Sequence, residues 1–204
     1  MLIGLTGSIA AGKSTVSRQL RMLGAHVLDA DMVAREIVEP GTVGLERLCE
    51  AFGEGILGPD GALDRKGLAQ IVFHDPAALQ TLNQITHPMV VGLMAERSAE
   101  WLKTHSSGIV IWDMPLLIEC GAWERMDAVW VVTAPEETRL KRLMARDNCT
   151  LEHAMARMAA QMPQEEKLRY ADVIIENAGD EAALLLQVEA NFKAACAGAK
   201  GSRI

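Results

Sequence analysis

Residues near the amino terminus have the types and the spacing needed to bind a phosphate group. Gly7, Gly12, Lys13 and Ser14 fit the pattern G-x-x-x-x-G-K-S, between an apolar segment at residues 2–6 and a helical pattern. Glycine lets the backbone wrap closely around an anion, and amides at a helix N-terminus point towards phosphate oxygens. Lys13 has the length to reach the β- and γ-phosphates of a nucleotide, and the Ser14 hydroxyl is suited to binding magnesium. The sequence therefore predicts a nucleotide-binding loop between a strand and a helix.

The interior of this loop departs from the usual composition. Ala10 and Ala11 stand where many phosphate-binding loops have glycine. Alanine fits the helical region of backbone space but is strained at positive φ, so we expect negative φ at both residues. The residues predicted to bind the nucleotide are Ala10, Ala11, Gly12, Lys13, Ser14 and Thr15, with Ser14 as the metal ligand.

Acidic residues lie at the ends of the next predicted strands. Residues 26–29 are typical of a short strand with Asp31 just beyond it, and residues 108–113 form an apolar run that ends in Asp113. In open parallel sheets ligands bind beyond the carboxyl ends of the strands, so these carboxylates are expected near the phosphate loop. One of Asp29 and Asp31 is expected to cap the following helix. Asp113 is either a magnesium-side carboxylate or a solvated acid at a strand end.

The segment between the second and third predicted strands, residues 32–104, has no strand pattern. Helical patterns are interrupted there by turns rich in glycine and proline, which predicts a helical insertion. Pro88 suits the first position of a helix, so a break between two helices is expected at His87–Pro88. From the sequence alone His87 is either a structural residue or a ligand. The predicted helices are Val33–Val38, Gly44–Phe52, Arg65–Phe73, Pro76–Thr86 and Pro88–His105.

Cationic and polar side chains follow the last two predicted strands. After the first of these strands, a helix carries Arg139, Arg142 and Arg146 at spacings that place them on one face. These arginines either belong to a lid that stabilises charge during phosphoryl transfer or form a solvated surface. Asn177 follows the last strand, at the sheet edge where a nucleotide base would lie, and a simple turn-forming role is the alternative. The two strands are predicted at residues 127–133 and 172–175.

The composition limits the classes of protein to which the chain can belong. It has 204 residues, of which 50% are hydrophobic, and a net charge of −7, which indicates one α/β unit and argues against a broad nucleic-acid surface. The 4 cysteines are scattered, without zinc or disulfide spacing, as in a protein of the reducing cytoplasm. There is no signal-peptide pattern and no membrane-spanning apolar run, so the predicted location is cytoplasmic. The tail Gly198–Ile204 is expected to fray.

Motifs along nearly the whole chain resemble those of the dephospho-coenzyme A kinase family. The stretch D-A-D-x-x-A-R, the pair H-P and the stretch P-L-L-x-E, in this order, are far more specific than the phosphate loop alone. The resemblance implies an α/β fold of three layers, which is the P-loop kinase fold with a five-stranded parallel sheet. It also implies that the chain is divided into a core (residues 1–31, 106–134 and 166–204), a helical acceptor-binding insertion (32–105) and a lid (135–165). The matching residues are Leu5–Gly7, Gly12–Thr15, Asp29–Asp31, Ala34, Arg35, Pro40, Gly41, Phe52, Gly53, Leu63–Arg65, His87, Pro88, Pro115–Leu117, Glu119, Arg142, Arg146, Gln161, Ala171, Asp172 and Asn177.

The resemblance also implies an activity and roles for individual residues. The expected reaction transfers the γ-phosphoryl group of ATP, with Mg²⁺, to the ribose 3′-hydroxyl of dephospho-CoA, giving coenzyme A and ADP. Asp31, Lys13 and Arg142 are the expected catalytic residues, with Asp31 accepting or orienting the hydroxyl proton. Asn177 is expected to touch the adenine. The residues expected on the acceptor side are Asp31, Arg35, His87, Leu116 and Glu119.

Other functional classes remain open from the sequence. Another nucleoside or nucleotide kinase would share the loop and the sheet, and a nucleotide-dependent switch protein would share the loop. The chain has no N-K-x-D stretch for reading guanine, and a helical insertion suits an acceptor pocket, so a kinase is favoured. The expected partners are dephospho-CoA and ATP, without nucleic acid or membrane, and the expected assembly is a monomer or a weak homo-oligomer.

Overall fold

A computed structural model describes residues 1–198 of the chain. The prediction that the tail Gly198–Ile204 frays falls, from residue 199 onwards, outside the described residues. The sheet has five strands in the order β2-β3-β1-β4-β5, and the pairs around β1 and β4 are parallel. The predicted five-stranded parallel sheet is therefore confirmed. The strands are β1 (Leu2–Gly7), β2 (His26–Asp29), β3 (Val110–Asp113), β4 (Ala128–Thr133) and β5 (Val173–Glu176).

Helices connect these strands in chain order, with short 3₁₀ turns at Glu54–Ile56 and Ala122–Arg125. Among the described residues, six of the helices begin at a side-chain cap, because the first amides of a helix have no partner within it. The helices are α1 (Lys13–Met22), α2 (Ala30–Glu36), α3 (Val43–Phe52), α4 (Arg65–His74), α5 (Pro76–Thr104), α6 (Glu136–Asp147), α7 (Leu151–Ala159), α8 (Gln164–Leu168) and α9 (Glu181–Cys196).

The described chain forms two compact units, of which the first comprises residues 1–28 and 100–198. Its core lies on the central strands, where Ile3, Leu5 and Val132 are fully buried. Leu20 of α1 and Val188 of α9 belong to the same cluster. The central strands are nearly continuous apolar runs because helices cover both faces of a parallel sheet. Loops that follow the strands therefore meet at the carboxyl edge of the sheet.

The second unit, residues 29–99, is helical, as the sequence predicts. Its buried side chains include Leu48 of α3, Leu68 of α4 and Met94 of α5. Gly44 allows α3 to lie directly against the carbonyl oxygen of Ile37, because a Cβ at this position would collide with that oxygen.

The predicted break at His87–Pro88 is wrong, because α5 continues through Pro88 without interruption. Proline removes one hydrogen bond to the carbonyl of the residue four positions earlier, which costs about 3 kcal/mol in a helix interior. The helix has 29 residues, and Val90, Met94 and Ser98 are buried at four-residue intervals beyond the proline. Burial of this face outweighs the local cost of the proline.

Candidate active site

The phosphate loop lies between β1 and α1, as predicted. Gly12 at the N-terminus of α1 has φ 94°, and no side chain caps the helix. There is also no acidic residue in the first turn of α1, whereas Asp29 and Thr42 cap α2 and α3. The first amides of α1 are therefore left for an external anion, and the helix dipole favours negative charge at that point.

Ala10 contradicts the expected backbone geometry, whereas Ala11 agrees with it. Ala10 has φ 61°, and Ala11 is not among the residues with positive φ. The amide of Ala11 donates to the carbonyl of Ser8 at 3.0 Å, so Ala10 occupies the third position of a tight turn. A turn of type II needs positive φ at this position. The path of the loop overrides the preference of the alanine side chain.

A carboxylate adjoins the loop from the neighbouring strand. Asp113 ends β3, which pairs with β1, and it is 5% exposed. The ammonium of Lys13 donates to Oδ1 of Asp113. The predicted strand-end acid therefore faces the loop and forms an ion pair with its lysine.

The oxygen donors at this place suit magnesium. The Ser14 hydroxyl stands in the first turn of α1, and the Asp113 carboxylate lies beside Lys13. Magnesium prefers oxygen ligands and usually binds through one or two protein groups together with substrate phosphates. Within residues 1–198 no group of three or more His, Cys, Asp or Glu side chains could hold a metal ion by itself. The residues fit an ion that arrives with a nucleotide.

Asn177 connects α6 to the phosphate loop. Its Nδ2 donates to the carbonyl oxygen of Ala11 at 2.9 Å, and its Oδ1 accepts from Nη2 of Arg142 at 3.1 Å. A Cβ at Gly12 would collide with Nδ2 of Asn177, so only glycine permits this contact. Nη1 of Arg142 is buried and has no hydrogen-bond partner among the described residues. A cavity of about 250 Å³ is lined by Gly12, Arg142 and Asn177, together with Thr15.

The arginines of α6 do not act as one group. Arg139 is 8% exposed, and its Nε donates to the carbonyl of Ala134 at 3.2 Å. Arg146 pairs with the neighbouring Asp147. Of the three predicted arginines, Arg142 contacts Asn177 beside the phosphate loop, and Arg139 lines a cavity of about 320 Å³ together with Ser8 of that loop.

The loop after β3 carries the predicted acceptor residues of the first unit. Leu116 is 38% exposed, whereas the following Leu117 is fully buried. Oε1 of Glu119 accepts from Nζ of Lys167 at 2.7 Å. The two predicted residues thus lie in one short loop at the carboxyl edge of the sheet.

Asp31, Arg35 and His87 belong to the second unit. Asp29 caps α2 by accepting from the amide of Asp31 at 2.9 Å, which confirms that one aspartate of the pair is a cap. The carbonyl of Arg35 accepts from Nη2 of Arg65 at 3.1 Å. The structure does not place His87 at a helix start but in the middle of α5.

His87 lines an open, mainly apolar cavity of about 440 Å³ in the second unit. Burial lowers the pKa of His87, so its imidazole is neutral at pH 7. A neutral imidazole both donates and accepts hydrogen bonds, which suits a polar contact in an apolar pocket. The other lining residues are Pro76, Leu79, Gln80, Asn83, Gln84 and Pro88.

Sequence reasoning missed the polar contacts of Gln161 and Lys167. The amide of Ile9 in the phosphate loop donates to Oε1 of Gln161 at 2.9 Å. Lys167 is completely buried and contacts the loop after β3. Gln161 matches the family pattern, but no sequence signal separates Lys167 from a surface lysine, because its partners come from a distant part of the chain.

The P-loop kinases, which transfer phosphoryl groups from nucleotides, are defined by three features found in this chain. These are the phosphate loop between β1 and α1, the acid at the end of β3 and the strand order β2-β3-β1-β4-β5. Residues 1–183 match the family model described as dephospho-CoA kinase. The chain belongs to the dephospho-CoA kinase family, and membership of a kinase family implies ATP as a substrate.

Relatives support this placement over most of the chain. A dephospho-CoA kinase of Geobacter sulfurreducens is 50% identical over 188 residues, which cover 92% of this chain and 95% of the relative. One of Moorella thermoacetica is 46% identical, covering 94% and 91% of the two chains. The solved dephospho-CoA kinase of Campylobacter jejuni is 33% identical, with a TM-score of 0.74 and coverage of 97% and 98%. Among the described residues, no helix has the length and apolar character to cross a membrane.

Proposed function

We propose that this protein transfers the γ-phosphoryl group of ATP to the ribose 3′-hydroxyl of dephospho-CoA, giving coenzyme A and ADP. The 3′-oxygen forms a bond to the γ-phosphorus, the bond from that phosphorus to the β,γ-bridging oxygen breaks, and the hydroxyl proton leaves. The observation that carries the proposal is the uncapped N-terminus of α1 with Lys13 and Arg142 at one loop, in a chain of this family.

Residues 10–15 of the phosphate loop bind the nucleotide phosphates in this proposal. Phosphoryl transfer requires alignment and the neutralisation of charge on the transferred group, and Lys13 and Arg142 supply cations for this purpose. Magnesium, when bound, neutralises charge on the phosphates, and Ser14 would hold it together with them. Asn177 serves the nucleotide side by holding Arg142 against the loop.

The acceptor side of the proposal comprises Asp31, Arg35, His87, Leu116 and Glu119. Asp31 accepts or orients the proton of the 3′-hydroxyl, since it follows β2 directly and Asp29 rather than Asp31 serves as the helix cap. His87 contributes a neutral imidazole in an apolar cavity. We also propose the division into a core, a helical acceptor-binding insertion (32–105) and a lid (135–165), in which lid closure excludes water and so suppresses ATP hydrolysis.

The first test measures ADP release from ATP and magnesium, with and without dephospho-CoA, and identifies the product by mass. We expect turnover that depends on the acceptor, with coenzyme A as the product. Turnover with nucleosides or nucleotides in place of dephospho-CoA would contradict the acceptor assignment, and turnover with no acceptor at all would contradict a kinase.

Asp31 has a matched control in the same turn of the chain. Asp31→Asn should lower kcat by about 10²–10⁴-fold, the usual contribution of a general base, with ATP binding retained. Asp29→Asn makes the same chemical change two residues earlier, and asparagine caps a helix as well as aspartate does, so near-normal turnover is expected. Near-normal kcat in Asp31→Asn would remove Asp31 from its role.

A further inference from the structure

Three polar side chains in the segment 161–167, here called the anchor segment, contact three different loops at the carboxyl edge of the sheet. Gln161 accepts from the amide of Ile9 in the phosphate loop at 2.9 Å. Gln164 accepts at 3.3 Å from the amide of Ala134, which lies between β4 and α6. The third side chain, Lys167, contacts the loop after β3. The anchor segment thus joins loops that are far apart in the chain.

Lys167 is the most constrained member of the anchor segment. Its side chain is 0% exposed, and Nζ donates to the carbonyl of Pro115 at 2.9 Å and to Oε1 of Glu119 at 2.7 Å. A buried ammonium costs several kcal/mol unless it is paired and hydrogen-bonded, so its position depends on both acceptors. Oγ1 of Thr6 donates to the same Pro115 carbonyl at 3.0 Å. Donors from β1 and α8 therefore hold one carbonyl oxygen.

These contacts determine how the loop after β3 presents its side chains. Lys167 holds Pro115 and Glu119, the first and last residues of the stretch 115–119, while Leu117 between them is fully buried. Leu116, in the same stretch, is 38% exposed. The ion pair with Lys167 is made by Oε1 of Glu119. The loop therefore offers one apolar and one acidic group in a defined arrangement.

We propose that Lys167 is a positioning residue for the acceptor, which holds the loop 115–119 in the arrangement that binds dephospho-CoA. Lys167 acts through Pro115 and Glu119, and the anchor segment ties this loop to the phosphate loop and to the start of α6. The inference rests on the proposed function, because Leu116 and Glu119 are proposed acceptor-binding residues.

The test is Lys167→Met, which keeps an unbranched side chain of similar length and removes the charge and the donors. We expect the KM for dephospho-CoA to rise by about 10–100-fold, the cost of a binding group displaced by a fraction of an ångström to an ångström. The KM for ATP should stay within about twofold, because the contacts at Lys13 and Arg142 are untouched. Lys141→Met is the matched control, because Lys141 is 75% exposed and pairs with Glu137 on the surface of α6. Both KM values should be unchanged.

A KM for dephospho-CoA within about twofold of wild type in Lys167→Met would overturn the inference. An equal rise of both KM values would also overturn it, since that result indicates general loss of structure. If the variant fails to fold, Thr6→Val decides, because it removes the other donor to the Pro115 carbonyl. A selective rise in the KM for dephospho-CoA in Thr6→Val supports the inference, and an unchanged KM overturns it.

Combining variants tests the route through Glu119. If Lys167 acts through Glu119, then Lys167→Met with Glu119→Gln should raise the KM little more than the stronger single change. If the increases in KM of the two single variants multiply in the double variant, the inference that Lys167 acts through Glu119 would be overturned. Absence of turnover with dephospho-CoA in the wild-type protein would overturn the proposed function itself, whereas wild-type turnover with an unaffected Lys167→Met overturns only the role of Lys167.

Discussion

Glycine substitutions at the two adjacent alanines of the phosphate loop should change stability in opposite directions. Ala10 has φ 61°, where a Cβ is strained, and it is only partly buried. Ala11 is outside the positive-φ set and is 1% exposed within the hydrophobic core cluster. Ala10→Gly therefore relieves strain, whereas Ala11→Gly removes a buried methyl group and relieves nothing.

The magnitudes follow from the two environments. Left-handed geometry costs an alanine about 1–2 kcal/mol, and glycine costs about 0.4–1 kcal/mol through the added freedom of the unfolded chain. Ala10→Gly should therefore stabilise the protein by about 0.5–1 kcal/mol. Ala11→Gly bears the same unfolded-state cost and loses about 0.8 kcal/mol of methyl burial, so it should destabilise by about 1–2 kcal/mol. The two variants should differ by about 2 kcal/mol.

The assay is urea unfolding followed by circular dichroism, without nucleotide, because a ligand that binds the folded state would shift the transition. The midpoint concentrations should fall on either side of wild type with similar m-values. In thermal unfolding the two variants should be separated by about 4–8 °C for a chain of this size. Equal destabilisation of both variants, or a less stable Ala10→Gly, would refute the reasoning from backbone geometry.

Three further predictions concern charged groups. Asp113→Asn keeps the shape of the side chain but removes the negative charge beside the phosphate loop. The kcat should therefore fall by about 10²-fold or more while Tm stays nearly unchanged, and an unchanged kcat would contradict a magnesium-side role for Asp113. Burial first, and the nearby His105 second, lower the pKa of His26, so His105→Gln should raise that pKa in an NMR titration, and a further fall would contradict this account. The pKa of Asp147 is lowered from 3.8 to about 2, and a hydrogen bond from Arg146 is the largest cause. The contribution of Asp147 to the stability of the folded state is therefore present above pH 3.8 and is lost as the pH falls towards 2. Asp147→Asn should make acid unfolding less steep in this range, and an unfolding curve identical to that of the wild type would show that the pairing contributes nothing.

Much of the fold could be predicted because its signals are local. The strands are apolar runs between turns, and Asp29 caps the helix at which the sequence expected one of two aspartates as the cap. The error at Pro88 arose from the same local reasoning, since a proline signals a helix start wherever tertiary packing does not decide otherwise. Ala10 is a second case, because the path of a tight turn set its φ against the preference of its side chain.

Of the residues in the candidate site, those that are neighbours in the chain could also be predicted better than those that meet only after folding. The spacing of Gly12, Lys13 and Ser14 predicted the loop, since those residues are neighbours in the chain and the chemistry of phosphate binding needs them together. The spacing of the arginines on α6 did not distinguish among them, whereas the family resemblance already favoured Arg142. All three share the sequence pattern, and the folded structure places Arg142 against Asn177 beside the phosphate loop.

By itself the sequence determined the phosphate loop, the parallel sheet and the family, because each depends on residues close together or on motifs in a fixed order. Only the tertiary structure decided that Arg142 faces the loop and that a buried Lys167 holds Glu119, because their partners lie 35 and 48 residues away. The energy of such contacts depends on burial and on partners that a linear pattern does not contain. A lysine on the surface and a lysine that organises a binding loop therefore look the same until the chain is folded.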